Sequence, residues 1–250
     1  MLTLHPGTIS YPPEGIKVEW TVEWNEEPFS IYWLYHNVPN TIKLDTTITP
    51  MVMLFSNIAI LNGFTISANT SSISTTLYNH LTRDLVNSWE KWFPEREWLL
   101  ILDVPVHDEE ITLMDQLPQS YSVASSFSGG VDSFYTLFQH LDEIDYLIFI
   151  HGYDINLKHS PFFSLVQTRL TEVATRYNIK LLSISTNSKE VVLNMGFPIS
   201  PDWLCHLHGP VAFSGVRVLH QLIGKFYYPS SNESNTFKDL NLQRGSGYAF

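Results

Sequence analysis

The chain has 250 residues, of which 44% are hydrophobic and 16% charged, enough apolar material for one large or two small globular domains. Its net charge of −11 argues against a general nucleic-acid surface, which needs clustered Lys and Arg. A single cysteine, Cys205, excludes a disulfide framework and suits a reducing, cytoplasmic compartment.

Met1-Leu2-Thr3-Leu4-His5-Pro6 has neither a basic region nor an apolar core and does not read as a signal peptide. The apolar stretches are also too short for a membrane span, so the expectation is a soluble chain with no membrane partner. Strict alternation of Val18, Trp20, Val22 and Trp24, then of Phe29, Ile31, Trp33 and Tyr35, predicts two strands across an Asn25-Glu26-Glu27-Pro28 turn. A helix is expected from Thr46 to Leu61, closed by Asn62-Gly63, and then a short strand from Phe64 to Ala68. Leu77, Leu81, Leu85, Trp89 and Trp92 predict a helix over Ser74–Phe93, stopped by Pro94, and Trp98–Val104 is a β run. These elements suggest a smaller N-terminal α+β domain over 1–110, whose tryptophans form a core or an aromatic binding wall. The acidic stretch His107-Asp108-Glu109-Glu110 marks a solvated junction near its end.

From Tyr121 the pattern changes to alternating strand and helix. A β-prone run (Tyr121–Ala124) leads into Ser128-Gly129-Gly130-Val131-Asp132-Ser133, and an amphipathic helix follows with Phe134, Leu137, Phe138, Leu141 and Ile144 at helical spacing. Strand, glycine turn and helix start place backbone N–H groups and the positive helix end around an anion. Gly129 and Gly130 allow close approach, Ser128 and Ser133 add hydroxyls, and Asp132 can cap the helix or face a metal ion. The loop is not a Walker A sequence, because no lysine follows the glycines.

These six residues resemble the SGGxDS loop of the PP-loop ATP pyrophosphatase superfamily, which includes asparagine, GMP and NAD synthetases, deazaguanine-nitrile synthases and tRNA-lysidine and thiouridine enzymes. The resemblance implies an adenine nucleotide alpha hydrolase-like domain over 115–250, with ATP and Mg2+ as cofactors and AMP plus pyrophosphate as products. Ser128, Gly129, Gly130, Val131, Asp132 and Ser133 would hold the phosphates, with Asp132 near the magnesium and Ser128 and Asp132 among the catalytic residues.

Further along, Tyr146–Ile150 is an apolar run of buried-strand type, Ser160-Pro161 opens a helix, and Ile179–Ile184 is the next strand. Pro210–Ile223 reads as a helix ended by Gly224, before a last strand over Phe226–Tyr228. The fold class expected is therefore α/β, a doubly wound parallel sheet behind the smaller domain.

In such sheets ligands bind beyond the carboxyl ends of the strands. That rule selects His151, Gly152, Tyr153 and Asp154 after the second strand, Ser185 after the third, and Ser230 and Ser231 after the last. By resemblance, backbone around Phe149, Ile150 and His151 would read the adenine edge, with Gly152 allowing close approach to the nucleoside. His151 is a candidate general base, and Asp154 can hold a ribose, a magnesium ion or a substrate amine. Tyr153, Asp154, Ser185, His208, Ser230 and Ser231 form the expected substrate set. Cys205-His206-Leu207-His208 invites a zinc reading, but no second cluster completes it, and Lys225 reads as solvated. The polar segment Ser230–Phe250 is either a lid or the stopping point of a longer chain.

Position 2 is Leu, so no glutaminase nucleophile follows the first Met, and one cysteine cannot form the zinc cluster of deazaguanine-nitrile synthases. The expected activity is AMP-forming activation of a carboxylate or amide oxygen of a small molecule, for ligation or amidation. A homodimer or an ammonia-supplying partner is compatible with it. The alternatives are a non-catalytic adenine-nucleotide sensor or partner subunit, and a sulfurtransferase using Cys205.

Overall fold

The computed structural model describes residues 1–39, 41–108 and 121–229. It is a mixed α/β protein built on one large sheet. The first half supplies β1 (Leu2–Leu4), β2 (Thr8–Ser10), β3 (Ile16–Trp24), β4 (Glu27–His36), β5 (Thr65–Ser67), β6 (Ile73–Ser74), β7 (Ile101–Asp103) and β8 (Val106–His107). Its helices are α1 (Thr49–Asn62), α2 (Thr75–Asn79) and α3 (Val86–Trp92), the last two joined by a π-helical stretch, His80–Leu85. The second half supplies β9 (Ser122–Ser126), α4 (Val131–Gln139), β10 (Tyr146–His151), α5 (Ser160–Arg176), β11 (Lys180–Thr186), α6 (Ser188–Asn194), α7 (His208–Arg217) and β12 (Ile223–Tyr227).

The strands run in the order β12-β9-β10-β11-β4-β3-β1-β5-β7, with β2 paired to β3 and a separate β6-β8 pair. Strands β12, β9, β10 and β11 are parallel neighbours, as are β1, β5 and β7, while β11-β4, β4-β3 and β3-β1 are antiparallel. The 1–110 and 115–250 segments thus meet within one sheet, where Ile184 of β11 lies opposite Tyr35 of β4.

β10 shows how the layers form. Its six residues, Tyr-Leu-Ile-Phe-Ile-His, are all buried. Tyr146, Ile148 and Ile150 face the main core with α1 and α7, whereas Leu147 and Phe149 face a second core with Leu137, Phe163 and Leu170 of α4 and α5. A strand covered on both faces has no use for polar alternation. The β3–β4 hairpin instead buries one face, Val18, Trp20, Val22, Ile31, Trp33 and Tyr35. It closes through Asn25 and Glu26, both at positive φ (52° and 69°), the conformation of a type I′ turn. The first-half tryptophans on β3 and β4 are core residues, Trp20 and Trp33 meeting edge-on at 5.6 Å.

Several boundaries differ from the periodicity. α4 stops at Gln139, because His140 leaves the helical region (φ −129°, ψ 28°), so Ile144 reaches the second core from a turn. α7 ends at Arg217, and Gly224 is a strand residue at a register shift in β12, not a helix terminator. A Cβ there would stand 2.4 Å from the Tyr121 ring, which accounts for glycine at the shift. His159, not Ser160, occupies the N-cap of α5. Helix α6 follows β11 at once, with Asn187 at its N-cap, in a stretch to which the sequence pattern assigns no element. No helix among the described residues is long and apolar enough to cross a membrane.

Candidate active site

Phe127 anchors the glycine loop. Its ring is fully buried, and its N–H donates to Ile148 O at 2.8 Å, so β9 ends pinned to β10. Ser128 is exposed, and its Oγ accepts from Gly130 N–H at 3.3 Å. Gly129 adopts φ +80°, a conformation that favours glycine. Gly130 takes the N-cap position of α4 with no side chain to cap the helix. The first helical bond runs from Phe134 N–H to Gly130 O at 3.1 Å, and the Ser133 hydroxyl donates to the same carbonyl at 2.7 Å. The N–H groups of Val131, Asp132 and Ser133 therefore precede the helical ladder at its positive end. Asp132 is the one acidic side chain in that turn.

The four parallel strands place this loop at a topological switch point. β9 precedes β10 in the chain on one side and pairs with β12 on the other, so the connections leave in opposite directions. A polar cleft of about 190 Å³ opens there, lined by Ser126, Ser128, Gly130, Asp132 and Ser133 with Tyr153, Asp154, His208, Tyr228 and Pro229. Beside it lies a more apolar slot of about 330 Å³, lined by Phe149, Ile150, Phe162 and Val166 among others, and sharing Ser126, Ser128, Tyr153 and Asp154. A third cleft, also about 330 Å³, lies across Tyr153 and Asp154 and is lined by Gly152, Asn156, Lys189, Glu190 and Asn194.

The structure thus gathers Ser128, Gly130, Asp132, Ser133, Phe149, Ile150, Tyr153, Asp154 and His208 around two joined clefts. Other sequence-selected positions among the described residues line neither of these two clefts. His151 is buried, stacked on Phe163 at 4.0 Å, with Nε2 3.2 Å from Asn156 O, and burial lowers its pKa. Gly152, at φ +91°, passes the Thr186 carbonyl so closely that a Cβ would stand 1.9 Å from it, so its glycine is explained by chain packing. Ser185 is a buried β11 residue bonded to His36 Nε2 at 2.9 Å, away from both clefts. Ser230 and Ser231 lie outside the described residues. Lys225 is paired with Glu143 at 2.8 Å, and with Tyr227 it holds that carboxyl down to about 2.

Asp202 caps the π-helical turn Trp203–Leu207 by accepting from Cys205 N–H at 2.8 Å. Cys205 is buried, and His206 stacks on Trp89 at 5.6 Å. Among the described residues no three His, Cys, Asp or Glu side chains form a metal-holding group.

Sequence reading missed Tyr228, Lys189 and Trp203. Tyr153 Oη donates to His208 O at 2.5 Å and is hydrogen-bonded to Tyr228 Oη, which in turn meets His208 Nδ1. Trp203 packs edge-on to both Tyr153 and His208, at 4.8 and 5.4 Å. Lys189 Nζ lies 4.0 Å over the Trp203 ring and donates to Tyr153 O at 2.8 Å; burial lowers its pKa. Burial likewise raises the pKa of both tyrosines and lowers that of His208. The strand-end rule, which selects Ser230 and Ser231, is the one signal that could have found the nearby Tyr228. No family model matches the chain, and neither a curated protein nor a solved structure matches it significantly.

Proposed function

We propose that this protein is an AMP-forming, ATP-dependent adenylating enzyme of the PP-loop ATP pyrophosphatase type. The observation that carries the reading is the Ser128–Ser133 loop at the switch point, opening one helix start onto a polar cleft that continues into an apolar slot. The polar end suits phosphates and the slot suits a flat base against Phe149, Ile150 and Phe162.

In this reading, loop N–H groups with Ser128 and Ser133 hold the β- and γ-phosphates as the pyrophosphate leaving group. Among the described residues no Lys or Arg lines the polar cleft, so charge neutralisation falls to backbone, helix end and metal. Asp132 fits a magnesium ion, which is typically held by one or two carboxylates plus substrate phosphates. Bound there, magnesium would offset phosphate charge. A carboxylate or amide oxygen of a small molecule attacks the α-phosphorus, pyrophosphate departs, and a nucleophile then displaces AMP. Positioning and charge stabilisation of the leaving group supply most of the acceleration. The nucleotide-sensor alternative shares the binding geometry and differs only in product release. Cys205 is buried and lines neither cleft, which gives the sulfurtransferase alternative no support.

Product analysis tests the reading: the protein is incubated with Mg-ATP and a small-metabolite extract, and adenine nucleotides and pyrophosphate are resolved. AMP with equimolar pyrophosphate is expected. ADP with phosphate would overturn it, and ATP binding without turnover would favour the sensor.

A further inference from the structure

Only one arrangement of protons satisfies the hydroxyl cluster beside the glycine loop. The His208 carbonyl oxygen can only accept, so Tyr153 gives it its single proton. Tyr153 must then accept from Tyr228, and Tyr228, its proton spent, must accept from Nδ1 of His208. The imidazole therefore carries its proton on Nδ1. Burial favours the neutral ring, which leaves a lone pair on Nε2.

That lone pair stands 3.9 Å from Oδ1 of Asp154, another acceptor. Two acceptors at this distance cannot bond each other, and a group that bridges them from the cleft, off the line joining them, has two hydrogens to give. Asp154 brings a negative charge to this cleft, no Lys or Arg is among its described lining residues, and the nearest cation, Lys189, is turned to Tyr153 O and the Trp203 ring, so a cation is favoured over water. We propose that Asp154 and His208 bind the second substrate as a primary ammonium group, and that His208 Nε2 is the base that activates it.

The chemistry rests on the adenylation reading above. The ammonium gives one proton to Nε2, which frees the nitrogen lone pair. Nitrogen bonds to the acyl carbon of the adenylate, the bond from that carbon to the phosphate oxygen breaks, and AMP leaves with its electron pair. The surplus proton on nitrogen and the one taken by Nε2 pass to solvent, leaving an amide and the neutral ring. Asp154, Lys189, Tyr153 and Tyr228 are the charged or titratable groups facing His208, with Trp203 as the apolar wall. Asp154 favours the protonated ring, while Lys189 and burial oppose it.

The test uses the full chain labelled with 15N-histidine and methylammonium as the probe, without nucleotide. NMR should place the His208 proton on Nδ1. Methylammonium should shift the Nε2 resonance, with affinity reduced about tenfold or more in Asp154→Asn. A proton on Nε2, an unmoved resonance (water alone in the gap) or an equal response in Asp154→Asn would overturn the proposal. Because no nucleotide is present, such a failure removes the amine site alone; product analysis tests adenylation separately. In turnover, His208→Asn keeps an N–H near the Nδ1 position. It should lower amine-dependent AMP release about 10²-fold and flatten the acid limb of the pH profile. An unchanged rate and profile would remove His208 as the base.

Discussion

Nε2 of His208 and Oδ1 of Asp154 face each other at 3.9 Å, although one residue starts α7 and the other follows β10. Their meeting is a product of sheet order. Because β9 lies between β10 and β12, the chain ends after β10 and β12, and the start of α7, converge on the glycine loop.

Asp132 lines the polar cleft as the acidic residue of α4's first turn, with its side chain outside the core. Asp132→Asn should therefore lower AMP formation by about 10²-fold or more while leaving the urea midpoint in place. Retained turnover would remove its assigned role; a shifted midpoint would make it a structural residue.

Two glycines at positive φ should respond differently to alanine. At Gly152 the new methyl would meet Thr186 O at 1.9 Å, so Gly152→Ala should cost about 2–4 kcal/mol. Gly63 caps α1 at φ +69° with no atom within 4 Å of its built Cβ, so Gly63→Ala should cost only about 1 kcal/mol. Equal losses in denaturant unfolding would refute the packing account of Gly152.

Asp45 is buried in the loop before α1, accepts from Thr47 N–H at 2.8 Å, and pairs with Arg217 at 3.2 Å. Asp45→Ala would strip Arg217 of this carboxylate. A loss of about 2–3 kcal/mol is expected, below the cost at a fully buried site because Arg217 is one-third exposed. Chemical denaturation at neutral pH measures it.

Burial lowers the pKa of His151, His206, His208 and His220. The folded state therefore binds fewer protons than the unfolded chain near their ordinary value of about 6.5. Their contribution is fully present above that pH and declines as pH falls through the depressed folded values. The urea midpoint should drop between pH 7 and 5, with a smaller drop in His206→Gln. A flat profile over that window would contradict the burial of these rings.

The glycine loop, the doubly covered strand β10 and the hairpin alternation were legible because each follows from local chemistry. Turn residues with unusual φ, an all-apolar strand and period-two burial all leave marks in a short window. The joining of both halves through β4 and β11 left no such mark, since strand pairing is a long-range choice. Helix α6 was hidden because it opens on Asn187, whose contacts with Tyr32 N–H and Ser30 O come from a strand distant in sequence. Tyr228 could be placed near a strand end, but its partners, Tyr153 and His208, are distant in sequence and left no local mark. Ser185 shows the converse, a residue selected by its place near a strand end but turned to His36.

The most direct test remains the fate of ATP. With Mg-ATP and a metabolite extract, the account predicts AMP and pyrophosphate in equal amounts, both lost in Asp132→Asn. ADP and inorganic phosphate, or AMP formation indifferent to Asp132, would contradict it.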